Sequence, residues 1–162
     1  MDVTRVNYAT FRPSIRSGDV IAYTHKGVRS LYDLKVFLVR LFTQSEYVHV
    51  AIAWVVGERV FLLEAVATGV RIYPLSKDLP FFHLTGRGLT DAQLADALQH
   101  VGDEYSFIEC AKAYAGANNP EDDQWECAEY VASILGLECK ATPAGVVEHM
   151  LNSGSSLTTV SR

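Results

Sequence analysis

Three residues in this chain have the types and settings that attack on a carbonyl requires: Cys127 in "DDQWECAEYVASILG", His49 in "SEYVHVAIAW" and Glu64 in "RVFLLEAVA". A thiol attacks as the thiolate, and an unperturbed pKa of about 8.5 leaves it mostly protonated at neutral pH. The segment around Cys127 reads as an amphipathic helix with the cysteine near its start. The helix dipole there favours the thiolate by only about 0.3–1 kcal/mol, less than one pKa unit, and Glu126 and Glu129 oppose it. A cationic imidazole has to supply the remainder. Without one, Cys127 is an ordinary buried cysteine, since cysteine is among the residue types most often buried.

His49 and Glu64 lie on segments that must bring them together. "HVAIAWVV", "RVFLLEAVA" and "GVRIYPL" are rich in β-branched and aromatic residues and are divided by glycine-containing turns, so they predict an antiparallel meander. A two-residue Gly57-Glu58 turn of type II′ pairs Val56 with Arg59, Ala51 with Glu64 and His49 with Val66. With alternating side chains, His49, Ala51, Glu64 and Val66 then share one face. His49 and Glu64 become diagonal neighbours about 7–8 Å apart at the backbone, within side-chain reach. An ionised carboxylate on so apolar a strand needs a partner to offset its desolvation, and His49 is the partner this register offers.

The remaining segments frame this hairpin. "GDVIAYTHKG" reads as a strand, and "SLYDLKVFLVRLFTQ" from Ser30 as a helix with Leu31, Leu34, Phe37, Leu38 and Leu41 on one stripe. Thr90 with Gln93 and Ser106 with Glu109 form capping-box pairs, Gly102, Gly116 and Gly136 stand where helices stop, and Thr142-Pro143 opens a last helix. Asp122 or Asp123 is expected to cap the cysteine helix. Cys110 and Cys139 lack comparable neighbours, and His25, His83, His100 and His149 read as structural or surface residues. Residues 154–162, within "NSGSSLTTVSR", are expected to be a flexible tail following a single domain over 1–153.

Bulk composition narrows the function. The 162 residues are 49% hydrophobic and 20% charged, ordinary values for one globular domain. A net charge of −5 without clustered Lys and Arg argues against a nucleic-acid partner. Three irregularly spaced cysteines and no C-x-x-C pair suggest neither a disulfide framework nor a zinc site, so no cofactor or metal is expected. The N-terminal residues carry no apolar signal-peptide core, and no apolar run is long enough to span a membrane.

Taken in order, "SGDVIAY", "SEYVHVAIAW", "VFLLEAVATGVRIYPL", "VGDEYSF" and "WECAEYVASIL" resemble the circularly permuted NlpC-type branch of the papain-like fold, particularly its YiiX-like members, over about Ser17 to Leu135. The resemblance implies an α+β domain with a short, mostly antiparallel sheet and helices packed to one side, the cysteine helix lying on the face that carries His49 and Glu64. It also implies a cysteine peptidase or amidase that cleaves an amide in a small peptide or peptidoglycan-type stem. Cys127 would match the family's nucleophile, His49 its base and Glu64 its orienting acid. Lecithin:retinol acyltransferase relatives share the permuted layout, so an acyltransferase or thioesterase stays open, as does a silent binding or structural protein. A cytoplasmic or virion-associated location is expected, and the oligomeric state is left open.

Overall fold

The computed structural model of the chain describes residues 4–24, 46–105 and 124–162. The expected helix from Ser30, together with His25, Cys110, Gly116, Asp122, Asp123 and the Ser106–Glu109 pair, lies outside these residues.

Seven strands form one mixed sheet. In chain order they are β1 (Thr4–Asn7), β2 (Val20–Thr24), β3 (Tyr47–Val56), β4 (Arg59–Val66), β5 (Gly69–Pro74), β6 (Phe81–Leu84) and, last, β9 (Leu157–Ser161), arranged spatially as β1-β9-β6-β2-β3-β4-β5. Only the β1–β9 pair is parallel; the other neighbours are antiparallel. Two short strands, β7 (Glu104–Tyr105) and β8 (Gln124–Trp125), pair separately. The helices are α1 (Tyr8–Phe11), α2 (Asp91–Gln99), α3 (Cys127–Leu135) and α4 (Pro143–Asn152).

Alternation along the strands divides the core in two. Val20, Ala22, Val50, Ile52, Leu63 and Ala65 point to one face and pack beneath α2, α3 and α4. Ile21, Tyr23, Ala51, Ala53, Val60, Leu62 and Phe81 point to the other, covered by Ile15, Leu75 and side chains of α1. The three longer helices therefore do pack to one side of an α+β sheet, as expected.

Local signals in the sequence explain three of the helix ends. Thr90 and Gln93 form the reciprocal capping box at α2. Gly136, in the left-handed region at φ 64°, closes α3, and Thr142 accepts from the Gly145 amide ahead of Pro143. The cap of α3 corrects an expectation: it is Glu126, whose carboxylate accepts from the Glu129 amide, so the helix begins later than an aspartate cap at 122 or 123 implies.

The C-terminal residues also differ from expectation. Residues 157–161 are not a frayed tail but the strand β9, held between β1 and β6 with Val160 fully buried. Serines and glycine dominate the front of that segment, yet Leu-Thr-Thr-Val carries strand-forming β-branched residues, and a vacant sheet position satisfies their backbone.

Asp19 fastens the sheet's far end. Its buried carboxylate accepts from the Arg16 and Gly86 amides at 2.8 Å each and from His83 Nε2 at 2.7 Å. Burial pushes this carboxyl up, but those three bonds outweigh it and hold it below the usual aspartate range. Asp19→Asn keeps the volume and loses the charge, so the unfolding free energy measured by urea titration is expected to drop by about 2 kcal/mol.

Candidate active site

The β3–β4 hairpin positions the first two site residues. Gly57 takes a positive φ of 59° at the first central turn position, and the register runs from Val56 opposite Arg59 to Ile52 opposite Leu63, as read from the sequence. His49 and Glu64 consequently meet: Nε2 lies 2.7 Å from Oε2. The next hairpin brings a third group, because Glu64 faces Arg71 on β5. The Nε and Nη2 atoms of Arg71 each lie 2.8 Å from Glu64 Oε1.

Glu64 is 0% exposed, whereas His49 and Arg71 keep 19% and 42% of their side-chain surface in contact with solvent. Burial pushes the Glu64 carboxyl up, but the hydrogen bonds and charges of His49 and Arg71 prevail and hold it below the ordinary glutamate range. An ionised carboxylate only accepts hydrogen bonds. The proton of a neutral His49 ring is therefore assigned to Nε2, which leaves Nδ1 as the basic nitrogen. Tyr23 stands across β2 with its ring 5.7 Å from that of His49. Burial, with the nearby charges of Asp78 and Glu64, raises the Tyr23 phenol far above its usual value, so it stays protonated.

Cys127 is the first residue of α3 and is 4% exposed. It packs in the cluster that contains Val50, Ile52, Leu63 and Ala65. These positions alternate with His49 and Glu64, so α3 lies against the opposite sheet face from the one expected. Both faces of this hairpin are apolar, and the alternation that fixed the partner of Glu64 held no information on which face the helix would cover.

Cys127 nonetheless starts its helix at the sheet end where His49 and Glu64 stand. The Val70 amide donates to the Asp103 carbonyl and the Gly102 amide to the Val70 carbonyl, tying the segment before β7 to the start of β5. Gly69, at φ 106°, allows this approach, since a Cβ there would sit 2.4 Å from the Asp103 oxygen. Strand β8, paired with β7, then leads directly into α3. Next to His49 the β2–β3 register slips by one: Tyr23 faces His49, Thr24 faces Tyr47, and Val48 is left over as a bulge.

Reading the sequence alone missed Arg71 and Tyr23. The signal for Arg71 was present: a two-residue Ala67-Thr68 turn pairs Val66 with Gly69 and, by the same count, Glu64 with Arg71. Cys139, the other cysteine described, is half-buried, and burial pushes its thiol up.

No family model and no curated protein matches the chain. Among solved structures it is similar to the crystal structure of metalloprotein YiiX from Escherichia coli O157:H7, with a TM-score of 0.53 and 24% sequence identity. The match covers 74% of this chain and 63% of that one, so the chain spans less than two thirds of its structural neighbour. The likeness shows a shared α+β fold. Among the described residues no group of three or more His, Cys, Asp or Glu side chains could hold a metal ion. No helix among these residues is long and apolar enough to cross a membrane.

Proposed function

We propose that the chain is a cysteine hydrolase of the permuted papain-like, NlpC-type kind, a peptidase or amidase acting on an amide in a small peptide or peptidoglycan-type stem. The observation that carries this reading is a wholly buried, ionised Glu64 bonded to the half-buried imidazole of His49. A carboxylate that fixes one ring nitrogen and leaves the other basic is the arrangement a thiol's general base requires. Nδ1 of His49 takes the proton of Cys127, the thiolate attacks the carbonyl carbon, and the imidazolium returns the proton to the leaving amine. Water, its proton taken by the same Nδ1, then attacks the thioester and releases the acid, and the imidazolium reprotonates the departing thiolate. The backbone N–H of Cys127, at the start of α3, suits the oxyanion, while the Glu129 amide is held by the Glu126 carboxylate. The YiiX likeness and the chain order histidine, carboxylate, cysteine support this reading. Acyl esters and thioesters fit the same chemistry.

One observation favours a second reading, a binding or structural protein with an inert thiol: the packing of Cys127 among aliphatic side chains on the face opposite His49. The hydrolase reading requires the sulfur and Nδ1 to meet around the sheet end at which β8 leads into α3. Site-by-site alkylation with iodoacetamide near pH 6 separates the two. A hydrolase is expected to react at Cys127 at least about tenfold faster than at Cys110 or Cys139, and to lose that advantage in His49→Ala. Equal rates at all three cysteines, or a Cys127 rate indifferent to His49, would establish the inert reading.

A further inference from the structure

Glu64 is held from two sides, and only His49 takes part in the steps above. A carboxylate with no access to water needs a countercharge. Were His49 its sole partner, the imidazole would be the one cation available beside the buried carboxylate, which favours the protonated ring, and a protonated ring cannot accept a proton from a thiol. Arg71 removes that constraint because its guanidinium is a permanent cation.

The guanidinium is also fixed in place. Two of its N–H groups donate to Oε1 of Glu64, its carbon lies 4.4 Å from the centre of the Tyr73 ring, and the β4–β5 register sets Arg71 directly opposite Glu64. The two carboxylate oxygens are thereby divided, Oε1 for Arg71 and Oε2 for His49.

We infer that Arg71 is a positioning residue for the hydrolysis: it is the permanent countercharge that lets His49 lose its proton while Glu64 remains ionised. The inference rests on the hydrolase reading for its purpose, while its geometry stands independently. Among the described residues the titratable and charged groups around the pair are Tyr23 from β2 against the His49 ring, Arg71 from β5 on Glu64, Tyr73 beneath the Arg71 guanidinium, Asp78 beside Tyr23 and, under the hydrolase reading, Cys127 from α3. Arg71 is the one permanent cation in that set.

The test is an NMR titration of the His49 ring in Cys127→Ala protein, with and without Arg71→Met or Arg71→Lys. Removing the charge is expected to raise the midpoint by about one pH unit or more, and lysine, which restores the charge, is expected to bring most of it back. A merely structural role for Arg71 would leave the midpoint where it is. An unmoved midpoint in Arg71→Met, or an equal rise in Arg71→Lys, overturns the inference. Should the methionine variant fail to fold, Arg71→Gln removes the charge and retains donors, with the same expected rise. Because the thiol is absent, this measurement is independent of the alkylation test. A midpoint that rises alongside an unreactive Cys127 sinks the hydrolase and upholds Arg71 as the countercharge of Glu64, whereas a reactive Cys127 with an unmoved midpoint sinks the role of Arg71 alone.

Discussion

Replacing His49 by alanine is expected to slow hydrolysis by about 10²–10⁴-fold, the usual contribution of a positioned general base. Peptide p-nitroanilides, acyl esters and acyl thioesters serve as probes, with covalent adducts on Cys127 followed by intact mass. The variant should remain folded. His49 is only half-buried, and Glu64 retains Arg71 as a counter-ion, so the substitution leaves no uncompensated buried charge. A loss of rate therefore reports on chemistry, and an unchanged circular dichroism melt confirms it. Which probe leaves an adduct in the parent protein identifies the carbonyl attacked. If no probe reacts, or the rate survives the loss of the imidazole, His49 is not the base.

Glu64→Ala is expected to have the largest effect on stability, about 3 kcal/mol in denaturant titration. Removing one partner of a buried pair costs about 3–5 kcal/mol in general, and the lower figure applies because His49 and Arg71 can still reach water. The same residue sets an acid limit. Its carboxyl is held below the unfolded glutamate value of about 4.3, so the stability it contributes is fully present above that pH and is lost as the pH falls through the lower folded value. Asp19 behaves in the same sense. Melting temperature should thus decline on acidification from about pH 4 downward, and less steeply in Glu64→Gln, whose amide does not titrate. An equal slope in both proteins would mean that Glu64 is not ionised in the native state.

The contact between His49 and Glu64 was legible because a hairpin is a local object: turn length fixes register, and register with period two fixes which side chains share a face. The same count extended over one more turn reaches Arg71. The face taken by α3 was not legible, since Val50, Ile52, Leu63 and Ala65 on one side and Ala51, Ala53 and Leu62 on the other are both adequate apolar surfaces. Choosing between them depends on long-range packing of α2, α3 and α4, to which no residue pattern in the strands refers. Strand β9 was hidden for a related reason, because a four-residue strand signal behind serines and glycine becomes a strand only when the neighbours β1 and β6 flank it.

The spare residue at Val48 makes one part of β3 forgiving of changes in chain length. A residue gained or lost between Val50 and Val55 would exchange the aliphatic side chains for those of the opposite face, and His49 with them. At the bulge the ladder is already out of step by one, so Tyr47 points into the helix-side core although it lies two residues from His49. Loss of Val48 would restore regular alternation with Tyr47 and His49 still on their present sides. Insertions and deletions accumulating over the history of such a strand can settle at this point while the histidine keeps its carboxylate.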